Sequence, residues 1–367
     1  MYTLSLEVVN QCNLNCKYCY LGEKKNRKMP KDTAKSAMDL SIHEARKQRD
    51  KTLVIYFIGG EPMLAFELIE FCVDYASKKG LESGLSILFS TTTNGTLLDQ
   101  EKVRFLIQHN FDLKVSIDGT EEVHNLNREY YHHKGSYKDI ISKLPLIWEY
   151  EKKTEKICHV ANVITTNNCN SLYENMLHLT DLGFKIVEST INIYSTWSEE
   201  DFNRLCVQME KAFVFYSNIR RHGKNIYWKY FEDRISNLFT LSHFFGCKAG
   251  LISIYVTVDG IIYPCTEIDE MVKVGDVSEG LDVDKIRSFV KLNCSTNESC
   301  IKCSEFTHCR VCGCIMNNYE VHRDFYKPIT INCNMTKFIF NLLRSNLSST
   351  QQEAFKQYYQ KRSIGHV

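Results

Sequence analysis

Neither sign of charge prevails in this chain of 367 residues, where 45 Lys and Arg stand against 44 Asp and Glu. So weak a field gives no general pull toward nucleic acid or an anionic membrane surface, and any partner must be chosen locally. No uninterrupted apolar run is long enough to cross a bilayer, and the opening MYTLSLEVV is too short, and lacks the cleavage sequence, for a secretory signal. Internal repeats and low-complexity tracts are not evident. The expectation is a cytoplasmic protein of about two domains, with no nucleic-acid and no membrane partner. Cysteine, in contrast, is abundant, with 16 residues. A compartment that keeps thiols reduced makes metal a better explanation than disulfides. Nine of the sixteen fall between Cys247 and Cys333.

Through about residue 195, short β-rich runs alternate with stretches of helical spacing. The pattern predicts strands over 4–9, 53–58, 85–91, 111–117, 158–164 and 185–193, and helices near 32–48, 67–79, 100–109, 137–149 and 172–182. Such alternation requires a parallel α/β sheet with right-handed crossovers, and ligands then lie at the carboxyl ends of the strands. Six units favour an open, partial (βα)6 barrel over a closed eightfold one. The expected organisation is a barrel over 1–225, a helical connector over 226–246, a small cysteine-rich domain over 247–340, and a terminal helix and tail over 341–367.

Cys12, Cys16 and Cys19 occupy the loop leaving the first strand, in QCNLNCKYCY. A C-x3-C-x2-C loop can give thiolates to three irons of a cubane cluster and leave the fourth open. The alternative is a closed zinc site, which needs a fourth ligand nearby. Between Asn10 and Pro30 there is no other Cys, no His, and a single carboxylate, Glu23. With the aromatic Tyr18 beside the last cysteine, the loop resembles that of the radical S-adenosylmethionine superfamily. The resemblance implies a [4Fe–4S] cluster whose open iron holds S-adenosyl-L-methionine by its amino and carboxylate groups.

The later motifs fall at strand ends. Gly59-Gly60-Glu61-Pro62 follows the second strand, and its glycines allow close backbone approach. In the superfamily this GGEP-type loop grips the methionyl amine, whereas alone it reads as a turn. Thr92-Thr93-Asn94-Gly95 reads as a polar turn. Ser116-Ile117-Asp118-Gly119, followed by His124 and Arg128, is similar to the pattern of anaerobic sulfatase-maturating enzymes and peptide maturases. By that resemblance, Ser116 and Arg128 meet the methionyl carboxylate. Asp118 and His124 read more simply as turn and capping residues. Ile164, ending the fifth strand, either faces the adenine or packs in the core.

From Cys247 the spacing resembles the auxiliary-cluster domain called SPASM. Gly260-x4-Cys265 fits it, as does Cys300-x2-Cys303-x5-Cys309; the next step departs, because Gly313 stands where a cysteine is expected, between Cys312 and Cys314. The family analogy puts an outer [4Fe–4S] cluster on Cys300, Cys303, Cys309 and Cys333. It puts an inner one on Cys247, Cys265 and Cys314, with Cys312 or Cys294 as fourth ligand. Zinc ribbons are the competing reading of the CxxC spacing. Cys72, Cys158, Cys169 and Cys206 lie away from the motifs and read as small apolar fillers.

The resemblance implies a radical oxidoreductase, a peptide maturase that modifies a ribosomally made peptide through a 5′-deoxyadenosyl radical, forming a thioether, a carbon–carbon link or an oxidised centre. Its partners are a peptide or protein substrate and an external electron donor such as flavodoxin or ferredoxin. The rival is sulfatase maturation, in which the residue after the YPC cysteine is a base aspartate. Here it is Thr266, with Glu267 and Asp269 nearby as substitute acid/base candidates. A reading of another class is a zinc-binding scaffold without catalysis.

Overall fold

The run YTLSLEVV alternates buried and half-buried side chains through Ser5, is buried throughout from Leu6 to Val9, and forms β1 (Tyr2–Val9). There follow α1 (Lys31–Lys47), β2 (Thr52–Gly59), α2 (Phe66–Ser83), β3 (Ser86–Thr93), α3 (Gln100–Gln108), β4 (Asp112–Ser116), α4 (Glu121–Asn127), α5 (Tyr137–Ile141), α6 (Leu144–Thr154) and β5 (His159–Ile164). Next come α7 (Leu172–Asp181), β6 (Ile186–Ile191), α8 (Glu199–Arg221), β7 (Tyr227–Trp228) and α9 (Lys229–Phe239). The rest is β8 (Ser253–Val256), β9 (Ile261–Tyr263), β10 (Gly275–Asp276), β11 (Gly280–Leu281), α10 (Val283–Lys291), α11 (Glu298–Ile301), α12 (Ile315–His322) and α13 (Thr330–Asn346). This computed structural model describes residues 1–239, 248–266, 270–292, 297–309, 314–347, 353 and 357.

Two compact units interleave along the chain: Met1–Ala161 with Lys248–Val290, and Asn162–Cys247 with Lys291–Val367. In the first, the strands run in the order β11-β10-β9-β8-β1-β2-β3-β4-β5. From β8 to β5 every pairing is parallel, and β9 to β11 add antiparallel ribbons. The order is linear, so this unit's sheet is open.

Its two faces differ in chemistry. Leu4, Leu6, Leu53, Ile55, Phe57, Phe89, Leu113 and Val115 are buried, and Phe57, Phe89 and Phe111 stack with centroids 5.4–6.3 Å apart. Helices cover this face, α1 against β1 and β2, and α2 against β3. The alternate positions include Ser5, Tyr56 and Ser90 in one row and Thr92 and Lys114 in another, all half-buried, beside a row of Thr3, Val54 and Leu88. A closed barrel fills that space with branched apolar side chains. Here the inner face is mixed, with polar residues in most rows.

In the second unit β6 pairs parallel with β7. Phe231 of α9 packs on Phe213 of α8 and on Trp228, with ring centroids 5.1 and 4.6 Å away. The Trp228 indole N–H donates to Ser189 at 2.6 Å. A capping box of Ser198 and Asp201 starts α8.

The helix expected over 137–149 is two helices. Pro145 sits in the first turn of α6, where its missing N–H costs nothing, but it cannot continue the ladder of α5. Strands β8 to β11 carried no recognisable period, being two to four residues long.

Candidate active site

The loop after β1 is held in shape by the loop after β2. The Gly60 N–H donates to the Val9 carbonyl at 2.8 Å, and the Glu61 N–H to the Gln11 carbonyl at 3.0 Å. A Cβ on Gly60 would lie 2.1 Å from the Gln11 oxygen, and Gly59 adopts φ +136°. Two glycines are therefore needed for one backbone to lie on the other.

Glu61 is 0% exposed and its carboxylate accepts from the Met63 N–H at 3.1 Å, the Thr93 hydroxyl at 2.6 Å and the Asn94 N–H at 2.7 Å. Burial raises its pKa, and these donors oppose the rise. Both carboxylate oxygens are thus engaged in bracing the ends of β2 and β3. Asn94 completes the brace: its side-chain amide donates to Asn13 Oδ1 at 2.8 Å and lies 3.9 Å from Cys12 Sγ. Its Oδ1 accepts from the N–H and hydroxyl of Thr96. The Leu14 N–H also points at Cys12 Sγ, at 3.4 Å. In the sequence Asn94 reads only as part of a turn; its signal is an amide one residue beyond a strand end, where ligands gather.

Burial, aided by the Glu61 charge, pushes the Cys12 thiol up to about 12. Cys16 moves the same way through burial, against the opposing charges of Arg128 and Lys24. Such thiols become thiolates when a metal bonds directly to sulfur.

Across the loop stands a buried triad. The Tyr18 hydroxyl donates to Asp118 Oδ2 at 2.6 Å, and Arg128 Nε lies 3.1 Å from Asp118 Oδ1. The guanidinium carbon lies 5.2 Å from the centroid of the Tyr18 ring. Asp118 is 0% and Arg128 7% exposed. Burial works against the arginine's charge, and Asp118 and Tyr18 more than restore it. Behind the triad, the Asp118 N–H donates to His124 Nδ1 at 3.3 Å, so Nε2 carries the hydrogen and donates to Ser136 Oγ at 3.0 Å. The Ser136 hydroxyl in turn donates to the Arg128 carbonyl at 2.9 Å. Burial, then the Arg128 charge, holds the His124 pKa well below 6.5, so the imidazole is neutral. Asp118 and His124 are thus a buried counter-ion and a rivet rather than a turn residue and a cap. Ser116, buried, ends β4 on the inner face.

These residues fit a cluster that leaves one iron to a cosubstrate. Three thiols share the loop, and two N–H groups are directed toward Cys12 sulfur. Arg128 Nε is taken up by Asp118, whereas Asn127 Nδ2 is a buried donor without a hydrogen-bond acceptor in the protein. Asn127 lies against the loop, its carbonyl accepting from the Lys17 N–H at 2.9 Å. An anionic ligand would satisfy the Asn127 amide. Ile164 belongs to the second unit, is 1% exposed, and receives the Asn192 N–H on its carbonyl.

In the second unit Cys300, Cys303, Cys309 and Cys333 line one cavity of about 340 Å³. Asn297 caps the N-terminus of α11 by accepting from the Cys300 N–H, and the Cys309 N–H donates to the Glu305 carbonyl at 2.8 Å. The Glu305 side chain, 5% exposed, takes both Nη atoms of Arg344 at 2.7 and 2.6 Å, tying this segment to α13. Burial pushes the Cys333 thiol up to about 11, and the neighbouring Cys309, Cys300 and Cys303 act in the same direction. Among the described residues, no group of three or more His, Cys, Asp or Glu side chains is placed to hold a metal ion. Cys265 follows β9 in the first unit and Cys314 precedes α12 in the second, both half-buried. Cys247, Cys294, Cys312, Glu267 and Asp269 lie outside the described residues. Cys72, Cys158 and Cys169 are buried, and Cys206 is half-buried. Among the described residues, no helix is long and apolar enough to cross a membrane.

An open parallel α/β sheet with a thiol trio beyond its first strand and an unsatisfied buried amide beside that loop fits one class, the α/β enzymes that depend on a metal cluster and a cosubstrate. Residues 6–206, more than half of the chain, match the Radical SAM superfamily, and the chain belongs to it. It is 25% identical over 323 residues to the cysteine-type anaerobic sulfatase-maturating enzyme of Clostridium perfringens, covering 82% of this chain and 85% of the relative. It is 23% identical over 309 residues to the sporulation killing factor maturation protein SkfB of Bacillus subtilis, covering 81% and 68%. The fold is that of the solved anSMEcpe with bound AdoMet, at TM-score 0.80, 21% identity, and 96% and 99% coverage.

Proposed function

We propose that this chain is a radical S-adenosylmethionine enzyme that modifies a side chain of a ribosomally synthesised peptide. The carrying observation is the Cys12–Cys16–Cys19 loop, fixed by Gly60, Glu61 and Asn94 and flanked by the buried Asn127 amide, which has no acceptor in the protein. When bound, the reduced cluster supplies the electron that cleaves S-adenosylmethionine, and the resulting radical takes a hydrogen from substrate carbon.

The chain's own residues bind and orient. Cys12, Cys16 and Cys19 give three thiolates, and Ser116 and Arg128 receive the methionyl carboxylate. Gly59, Gly60 and Glu61 form the loop that receives the methionyl amine, and Ile164 contacts the adenine. Tyr18 and Asp118 hold the arginine. Cys300, Cys303, Cys309 and Cys333 bind an outer auxiliary cluster in a SPASM-type domain, the inner one falling to Cys247, Cys265 and Cys314 with Cys312 or Cys294. Clusters held there would offer a site for the electron released as the substrate radical closes, and an external donor such as flavodoxin or ferredoxin would be the electron-supplying partner. SkfB, named as a maturation protein for a killing factor, supports a peptide substrate. So does Thr266, a poor base in the position where the sulfatase maturases carry an aspartate.

The second reading, maturation of a sulfatase with Glu267 or Asp269 as base, is favoured by the 25% identity to the Clostridium perfringens enzyme. Anaerobically reconstituted protein is incubated with reductant, S-adenosylmethionine, and either a short cysteine- or aromatic-containing peptide or a sulfatase-derived peptide. Loss of two hydrogens from the first peptide is expected. Formylglycine on the second would replace the first reading by the other, and a colourless zinc protein would end both.

A further inference from the structure

The cavity lined by the four carboxyl-terminal cysteines holds a polar group that the protein leaves unused. Thr336 follows Cys333 by three residues on α13, so the two side chains share a helix face, and both line the cavity. Thr336 is 3% exposed, and its hydroxyl has no hydrogen-bond partner. A helical threonine ordinarily returns its hydroxyl to a carbonyl three or four residues back. This one does not. A buried hydroxyl left without an acceptor is destabilising and uncommon, so its environment should contain an acceptor that the protein atoms do not provide. Sulfur is the acceptor that a four-thiolate iron cluster would bring.

We propose that Thr336 donates a hydrogen bond to a sulfur of the cluster held by Cys300, Cys303, Cys309 and Cys333, and thereby sets its reduction potential. The inference rests on reading these cysteines as cluster ligands. In the couple concerned the cluster gains one electron and no proton, the electron coming from the substrate radical in the reaction and from dithionite in a titration. The added negative charge strengthens an O–H···S hydrogen bond, so the hydroxyl favours the reduced form and raises the potential. Lys337 lines the same cavity, and its charge acts in the same direction independently of the hydroxyl.

The test is a mediated redox titration of the anaerobically reconstituted full-length protein, followed by electron paramagnetic resonance. Cys300→Ala identifies which reduced-cluster signal belongs to this site. Thr336→Val and Thr336→Ala should shift that midpoint to more negative potential, leave the other couples in place and keep the iron content. Thr336→Ser should titrate with the unmodified protein. Alanine, a good helix former, carries the test if the valine variant does not fold. An unmoved midpoint in a hydroxyl-free variant with full iron content overturns the hydrogen bond and leaves the cysteine assignment standing. If Cys300→Ala loses neither iron nor signal, the cluster assignment fails, and the role of Thr336 with it.

Discussion

The Tyr18 hydroxyl donates to Asp118 at 2.6 Å, joining the cysteine loop beyond β1 to the turn beyond β4. Asp118 is fully buried, so this bond and the Arg128 ion pair are what make its charge tolerable. Tyr18→Phe keeps the ring against the guanidinium and removes only the donor. A hydrogen bond to a charged group is worth about 1.5–3 kcal/mol, and urea unfolding should show a loss in that range.

Breaking the ion pair from either side should cost more. Arg128→Met and Asp118→Leu each leave one buried charge uncompensated, a loss of about 3–5 kcal/mol. The double variant should lose clearly less than the sum, because neither charge then remains. Additive losses in a denaturant double-mutant cycle would mean that the two charges are not coupled.

His124 gives the stability a pH dependence of definite sign. Its folded pKa lies below the ordinary 6.5, so at lower pH the unfolded chain takes up a proton that the folded one refuses. Stability is therefore fully present above about pH 6.5 and falls as the pH drops below it, by at most about 1.4 kcal/mol per pH unit from this group. His178, also lowered by burial, adds to the trend. Unfolding curves of His124→Gln and the parent between pH 5 and 7 should differ by the slope of one proton.

Gly60→Ala should cost the protein its first cluster. The new Cβ would meet the Gln11 carbonyl, a backbone atom that cannot turn aside, and overpacking of this kind costs about 1–3 kcal/mol. Leu81→Ala is the control, since Leu81 is 85% exposed on α2. Iron-to-protein ratios after reconstitution should fall for the first variant and hold for the second.

Cys16→Ala should reduce S-adenosylmethionine cleavage to background. Cys303→Ala should retain some uncoupled cleavage and yield no modified peptide. Chromatography of the nucleoside product beside mass spectrometry of the peptide separates the two, and unchanged cleavage by the Cys16 variant would remove the assignment.

The first six strands were legible because each is a β-rich run bounded by polar turns, and the structure moves their ends by two residues at most. The motifs that follow them were legible for the same reason. Pairing of β1 with β8 was not, because Thr3 and Ser253 are neighbours only through the sheet and no local pattern in four residues announces it. Nor did the turn TTTNG disclose that Asn94 joins three loops: its partners Asn13 and Glu61 are 81 and 33 residues away. The Asp118–Arg128 pair lay in a recognisable motif, yet its meaning depends on burial, which the residue names do not carry.

The Gly60–Gln11 contact ties the geometry of the thiol-bearing segment to the pairing of β1 with β2. Metal affinity and the stability of that part of the sheet are therefore linked quantities, and whatever loosens one weakens the other.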